Sequence, residues 1–319
     1  MIKELFALYE DLDLTKVRFI YPRKFIFLCG GTISPDRTSK KALSLRDYLY
    51  RIRGFQTRLN AQVILAETAT TLYRDSEYGD LISFEEDIAR ISSIVLVIAE
   101  SPGSLAELGA FATNNTICHA LRVIIQEDFY KEESFIRFGP IQRIIKSHNR
   151  GFIGPYPWRT NGQRQVVIRS ISPHYTDVLR FVNGHLKSIP GSAIMPTAHD
   201  LKLFCIIYWI IHILLAVSEE ILVDCIISLM PDATRQDILN KIYCLLHIAR
   251  WIKKIPYSRK DYYHATVEDD PFDYGYKTGT PVRDTPRRKA DVTRAMKPIE
   301  DTPDEVLRRA YEGRSSRTK

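Results

Sequence analysis

The sequence predicts an α/β chain in which a parallel sheet is followed by a smaller, mostly helical domain and a charged tail. Three observations carry this. Residues 94–99 (IVLVIA) are an unbroken apolar run, suited to a central strand covered on both faces. Strand-like and helix-like stretches alternate through residues 1–150. Beyond residue 196 the pattern changes to three helical stretches and two short strands.

In chain order, residues 24–29 (KFIFLC) read as the first strand, stopped by Gly30-Gly31. Residues 43–59 carry Leu45, Leu49, Ile52 and Phe55 at helical spacing. Residues 63–65 are a second strand, and 83–92 a helix opened by the capping pattern Ser83-x-x-Glu86. The strand at 94–99 precedes a helix at 105–112 and a strand at 121–126 (LRVIIQ). In such parallel sheets the ligand crevice lies beyond the carboxyl ends of the strands, here the loops at Gly30-Gly31 and 100–104. Residues 151–196, rich in Gly, Pro, Ser and Asn, read as a domain edge and connector with one strand at 165–169.

Residues 199–217 read as a long helix, 219–229 as a second after the cap candidate Ser218, and 233–251 as a third after Pro231-Asp232. Strands at 252–255 and 261–266 then flank the basic turn 256–260, completing the outline of a winged helix-turn-helix. From Glu268 large apolar residues give way to prolines and mixed charge. Such a tail cannot offset its ordering entropy and is expected to be flexible, with a short helix at 304–311. The expected domains are therefore 1–195, 196–267 and 268–319.

A length of 319 residues suits about two domains of ~150 residues. With 45% hydrophobic and 26% charged residues, collagen-like, disordered and disulfide-framework chains are excluded. The five cysteines lack metal-ligand spacing and read as reduced thiols of a cytoplasmic protein, with no metal site. No signal peptide is visible, and the apolar stretch 203–217 is short of the ~20 residues that span a bilayer. The net charge of +7 is a mild hint of an anionic partner. Its distribution says more: 16–58 holds only the acids Asp36 and Asp47, and 235–260 only Asp237, which reads as two contact surfaces or as two solvated faces.

The densest motif is Glu100-Ser-Pro-Gly-Ser-Leu-Ala-Glu-Leu-Gly-Ala-Phe111, between a buried strand and a helix. Pro102 and Gly103 allow a tight turn, and the N–H groups opening the helix suit an anion such as phosphate. Glu107 is expected in the first helical turn, facing the crevice, where the dipole favours its charged form. A carboxylate there can attack an anomeric carbon or stabilise an oxocarbenium-like transition state. A plainer reading is equally open. Ser104-Leu-Ala-Glu107 is also a capping box, in which Glu107 serves only the backbone.

Phe27-Leu-Cys-Gly-Gly31, the 100–111 segment and Ile136-Arg-Phe-Gly-Pro140 occur in this order. Together they resemble the retron-associated effectors that join a nucleoside deoxyribosyltransferase-like domain to a C-terminal DNA-binding domain. The resemblance covers residues 20–145 and implies a Rossmann-like parallel sheet that cleaves an N-glycosidic bond. In deoxyribosyltransferases the Glu of the E-L-G segment is the nucleophile, a role that falls on Glu107 here. Those enzymes carry an Asp six residues earlier, where this chain has Ser101, which speaks against base exchange on deoxynucleosides. Nicotinamide is already cationic in NAD and needs no protonating acid. The resemblance therefore points to a toxin-like antiphage hydrolase of NAD or a related nucleotide, with NAD as substrate and no resident cofactor. Similar effectors act with a retron reverse transcriptase and its msDNA, a DNA–RNA hybrid molecule that would restrain or position this chain.

Glu85 aligns by spacing with an acidic family position and would hold ribose hydroxyls; a solvated helix face explains it equally. Gly30 and Gly31 permit close backbone approach, and Glu100, Ser101, Gly103 and Ser104 complete the expected substrate contacts. Glu100 is alternatively a strand-closing residue, and Cys29 reads as a buried small side chain. The expected nucleic-acid contacts are Arg235 and Lys241 on the third helix, with Lys253, Lys254, Arg259 and Lys260 around the wing. Tyr257, Tyr262 and Tyr263 either stack on bases or pack the wing, and a protein-binding winged helix is the alternative. The 199–217 helix reads as core, with any leftover face open to self-association. Two rival functions stand beside the hydrolase: a nucleotide-sensing DNA-binding regulator without catalysis, and a nucleoside deoxyribosyltransferase.

Overall fold

The computed structural model describes residues 3–59, 61–257, 259–280 and 284–296. The chain divides into two compact units, residues 23–190 and residues up to 22 together with those from 191 onward.

The first unit is built on five parallel strands: β1 (Phe25–Cys29), β2 (Gln62–Leu65), β3 (Ile94–Ala99), β4 (Leu121–Gln126) and β5 (Ile153–Tyr156). Their order is β2-β1-β3-β4-β5. The chain runs outward from β1 to β2 and crosses back to β3, so a crevice opens between the carboxyl ends of β1 and β3. All residues of β1 and β3 are buried, which their unbroken apolar runs require. The two-residue period sorts them by face. Ile26, Leu28, Leu96 and Ile98 join Leu45, Tyr48 and Leu49 in one core, and Phe27 on the other face meets Phe111 edge to face.

The longer helices of this unit are α1 (Ala66–Arg74), α2 (Leu81–Ile91), α3 (Pro102–Thr113) and α4 (Tyr175–Ser188). Several expectations are corrected here. The cap of α2 is Asp80, which accepts from the Ser83 amide at 2.8 Å; Glu86 instead pairs with Arg90. The helix expected over 43–59 is a short α turn (Leu45–Asp47) and a π turn (Tyr48–Ile52), broken at Gly54 and resumed at Phe55–Arg58. Gly54 has φ of 59°, a left-handed conformation that glycine adopts without strain. The expected connector 151–196 contains both β5 and the 14-residue α4, whose Val178, Val182 and Leu186 fill the core. No strand forms at 165–169; Val166 makes one bridge to Thr160 and Ile168–Ile171 is a helical turn.

In the second unit, α5 (His199–Ile213), α6 (Glu219–Leu229) and α7 (Arg235–Tyr243) precede a hairpin of β7 (Ile252–Tyr257) and β8 (Lys260–Ala265). The short strand β6 (Val217–Ser218) pairs with the other edge of β8, giving a three-stranded antiparallel sheet. The boundary expected at 195/196 is displaced. Arg18–Ile20 lies between Ser192–Ile194 and Phe272–Asp273 in a second antiparallel sheet of this unit. The tail expected to be flexible is ordered where it meets apolar surface. Phe272 stacks on Trp209 of α5 at 5.1 Å, and helix Thr285–Met296 buries Val292. These contacts cover α5, whose residues 203–213 are all buried, so that stretch has no face left for self-association. The helix expected at 304–311 lies outside the described residues. Among those described, no helix is long and apolar enough to cross a membrane. All five cysteines are buried thiols.

Candidate active site

Glu100, the first residue after β3, binds the surrounding loops together. Its Oε1 accepts from the amides of Gly31 at 3.0 Å and Arg46 at 2.9 Å, and its Oε2 from Leu45 at 2.6 Å. Leu45 and Arg46 open the helical turn capped by Ser44, so the carboxylate satisfies N–H groups with no intrahelical partner. The Arg46 guanidinium runs back beneath the turn. Its Nε donates to Gly31 O at 2.7 Å, its Nη1 to Leu28 O at 3.2 Å, and its Nη2 pairs with Glu67 at the start of α1. Burial raises the Glu100 pKa, and the three amides and Arg46 oppose that rise.

This tie explains Gly30 and Gly31 without invoking a ligand. A Cβ on Gly31 would stand 2.6 Å from Ser44 Cβ, and one on Gly30 3.0 Å from Arg46 Cδ.

α3 begins at Pro102, three residues before its expected start. Proline suits the first helical position because its missing N–H would be unpaired there. Ser101 is the cap: its Oγ accepts from the Ser104 amide at 3.2 Å, and Ser104 Oγ accepts from the Ser101 amide at 3.0 Å. The Ser104-to-Glu107 capping box is therefore not formed, and Glu107 lies in the second turn, where the helix dipole helps it less.

From that turn Glu107 reaches the carboxyl end of β1, close enough to the Cys29 thiol for each to act on the other's titration. Its Oε2 is buried without a hydrogen-bond partner. Glu85, on α2, is close enough for the Glu107 charge to act on it. Burial first, and that charge second, push the Glu85 pKa up to about 8, so at neutral pH Glu85 keeps its proton. Burial also raises the Glu107 pKa; Cys29 and Arg46 favour its charged form, while Glu67 opposes it. The solvent edge of the cluster is Glu67, its side chain 52% exposed.

A cavity of about 580 Å³ lies at the carboxyl ends of the strands, lined by Gly31, Ser44, Glu100, Ser101, Gln126 and Trp158 among others. Its size is ordinary for a small-molecule site. Of the predicted residues it gathers Gly31, Glu100 and Ser101. Glu85, Glu107, Gly30, Gly103 and Ser104 do not line it; Gly103 faces open space, and Ser104 is buried in the cap. Arg46, Glu67, Gln126 and Trp158 were not anticipated. The one signal was Arg46, a base at the start of a predicted helix after the Gly-Gly turn.

In the second unit the predicted basic residues fall in different settings. Arg235 is exposed and pairs with Glu219 at 3.4 Å. Lys241 is buried, 3.3 Å from Asp200 and against the Phe204 ring, which corrects its expected place on a nucleic-acid surface. Lys254 is exposed and pairs with Asp261 at 2.7 Å; Lys253 is half-buried. Arg259 and Lys260 are exposed at the hairpin turn. Tyr262 and Tyr263 are buried and pack the sheet, with Tyr263 donating its hydroxyl to Glu219 at 2.9 Å.

Comparison with known proteins adds an independent line. A family model described as "STM3845 retron effector protein" matches residues 42–254, more than half of the chain. Two curated Escherichia coli proteins are similar over shorter stretches. The "Retron Ec73 putative ribosyltransferase/DNA-binding protein" is 30% identical over 124 residues, 39% of this chain and 39% of that protein. The "Retron Ec86 putative ribosyltransferase/DNA-binding protein" is 28% identical over 132 residues, 40% of this chain and 39% of that protein. The match thus spans about two fifths of each relative's length.

Proposed function

The chain belongs to the STM3845 retron effector family, and on that premise we propose that it is the toxin-like effector of a retron antiphage system. Its α/β unit, in this reading, hydrolyses the N-glycosidic bond of NAD or a related nucleotide through Glu107. The supporting observation is the Glu107 carboxylate itself, which serves no cap and leaves Oε2 buried and unpartnered beside the protonated Glu85. An unsatisfied buried acceptor costs stability, and a cost of that kind suits a group retained for chemistry. The β2-β1-β3-β4-β5 order supports a Rossmann-like, deoxyribosyltransferase-like unit, and the relatives' names fit glycosyl transfer.

In the proposed reaction Glu107 bonds to the anomeric carbon as the carbon–nitrogen bond breaks, its electron pair returning to the base. The cationic nicotinamide ring leaves neutral and takes no proton. Water then attacks the same carbon, releasing ADP-ribose and the Glu107 carboxylate, with the water's proton passing to solvent. Glu85 keeps its proton and donates to a ribose hydroxyl. Ser101 holds the helix cap and supplies no acid to a leaving base, which favours a cationic leaving group over a deoxynucleoside.

The second unit, with three helices and a basic hairpin, supports a winged-helix reading, and "DNA-binding" in the relatives' names agrees with it. Lys253, Lys254, Arg259 and Lys260 would then meet nucleic acid, and the reverse transcriptase and msDNA would hold the effector in the cytoplasm.

The test incubates the purified chain, alone and with its reverse transcriptase and msDNA, with NAD or with deoxynucleosides plus a free base. Free nicotinamide and ADP-ribose are expected, with no base exchange. Exchange without NAD loss would make the protein a transferase. Inertness in both states would favour a nucleotide-sensing regulator.

A further inference from the structure

The longest acid-free run of the chain is 134–176, which holds seven Lys or Arg residues. It begins at the motif Ile136-Arg-Phe-Gly-Pro140, which has no part in the site around Glu107. The segment folds as a π turn (Arg137–Ile141) continuing into a helix (Gln142–Ser147) beside α3. Phe135 is 83% exposed and Phe138 60% exposed, although both are large apolar rings. They border a groove of about 490 Å³ formed with Gly139 and Pro140, and Arg143 and Lys146 stand on its rim. The two cations are three residues apart and share a helix face. Among the described residues neither is paired with a carboxylate. Glu132 and Glu133 precede the groove but do not line it.

We infer that this groove is a surface for single-stranded nucleic acid, with bases stacking on Phe135 and Phe138 and phosphates meeting Arg143 and Lys146. Exposed aromatic faces mark a contact surface, and unpaired cations beside them select an anionic partner. Rings and cations along one groove serve an unpaired strand, which offers π faces and phosphates together. A duplex hides its base faces by stacking and cannot use the phenylalanines. The inference uses no residue of the proposed glycosidase site or of the hairpin in the second unit.

The test measures fluorescence anisotropy of a labelled twelve-nucleotide oligo(dT) and of a twelve-base-pair duplex with the full chain. F135A/F138A removes only exposed rings, and its melting temperature should match wild type. It should bind the single strand more weakly by about thirtyfold or more and the duplex unchanged. R143Q/K146Q should reduce the slope of log affinity against log salt by about 0.7 for each phosphate no longer neutralised. The hairpin variant R259Q/K260Q should leave the F135A/F138A effect on oligo(dT) intact. Wild-type oligo(dT) affinity in F135A/F138A would overturn the inference and assign the aromatic pair to a protein partner. Equal weakening toward duplex and single strand would overturn it as well.

Discussion

Replacing Glu85 by glutamine should stabilise the α/β unit, and the gain should grow with pH. Glu85 is 8% exposed, and its pKa is raised from 4.5 to about 8. Below pH 4.5 folded and unfolded chains both carry the proton, so the substitution changes little. Between pH 4.5 and about 8 the unfolded chain ionises while the folded one does not, and the native state loses roughly 1.4 kcal/mol per pH unit. At pH 7 this amounts to about 3 kcal/mol, a value that belongs to the coupled Glu85–Glu107 pair rather than to one group. Glutamine keeps the shape and polarity without the ionisable proton. At ~2–4 °C per kcal/mol for a unit of this size, E85Q should melt roughly 6–12 °C above wild type at pH 7. The two should coincide near pH 4. Thermal unfolding in buffers spanning this range checks it. A constant difference at every pH, or an E85Q less stable than wild type at pH 8, would show that Glu85 is ionised and paired and would refute the reasoning.

Four further substitutions test the architecture of the two units, each within its own unit. Gly31→Ala forces a Cβ against Ser44 and Glu100 and should cost ~1–3 kcal/mol in urea unfolding, whereas Gly103→Ala, facing open space, should cost nothing measurable. Glu100→Ala strands the amides of Gly31, Leu45 and Arg46 and should destabilise the α/β unit by about 3 kcal/mol or more, read by chemical denaturation. Phe272→Ala removes the ring stacked on Trp209 and should cost the second unit ~3–5 kcal/mol, with a change in tryptophan fluorescence. A merely flexible tail would leave both unchanged.

The buried strands β1 and β3 were legible because an unbroken apolar run has one good home in an α/β chain. β5 was not, since Ile153–Tyr156 is a four-residue edge strand containing Gly154 and Pro155. The cap of α3 was misread because Ser101-Pro-Gly-Ser104 and Ser104-Leu-Ala-Glu107 compete for the same start, and Pro102 at the first position decides it. Glu107 stood out through its motif. Arg46 did not, because Glu100 meets its amide across 54 residues, beyond the reach of spacing rules. The entropy argument for the tail treats it as an isolated segment; Phe272 and Val292 instead find a ready apolar surface on their own unit.

The measurement that bears most directly on the proposed chemistry is nicotinamide release from NAD by wild type and by Glu107→Gln, in the same state of assembly and at matched melting temperature. Glutamine preserves the size of the side chain and removes the anionic nucleophile. The account predicts release by wild type and a loss of about a thousandfold or more in the variant. Equal rates for the two proteins would contradict it.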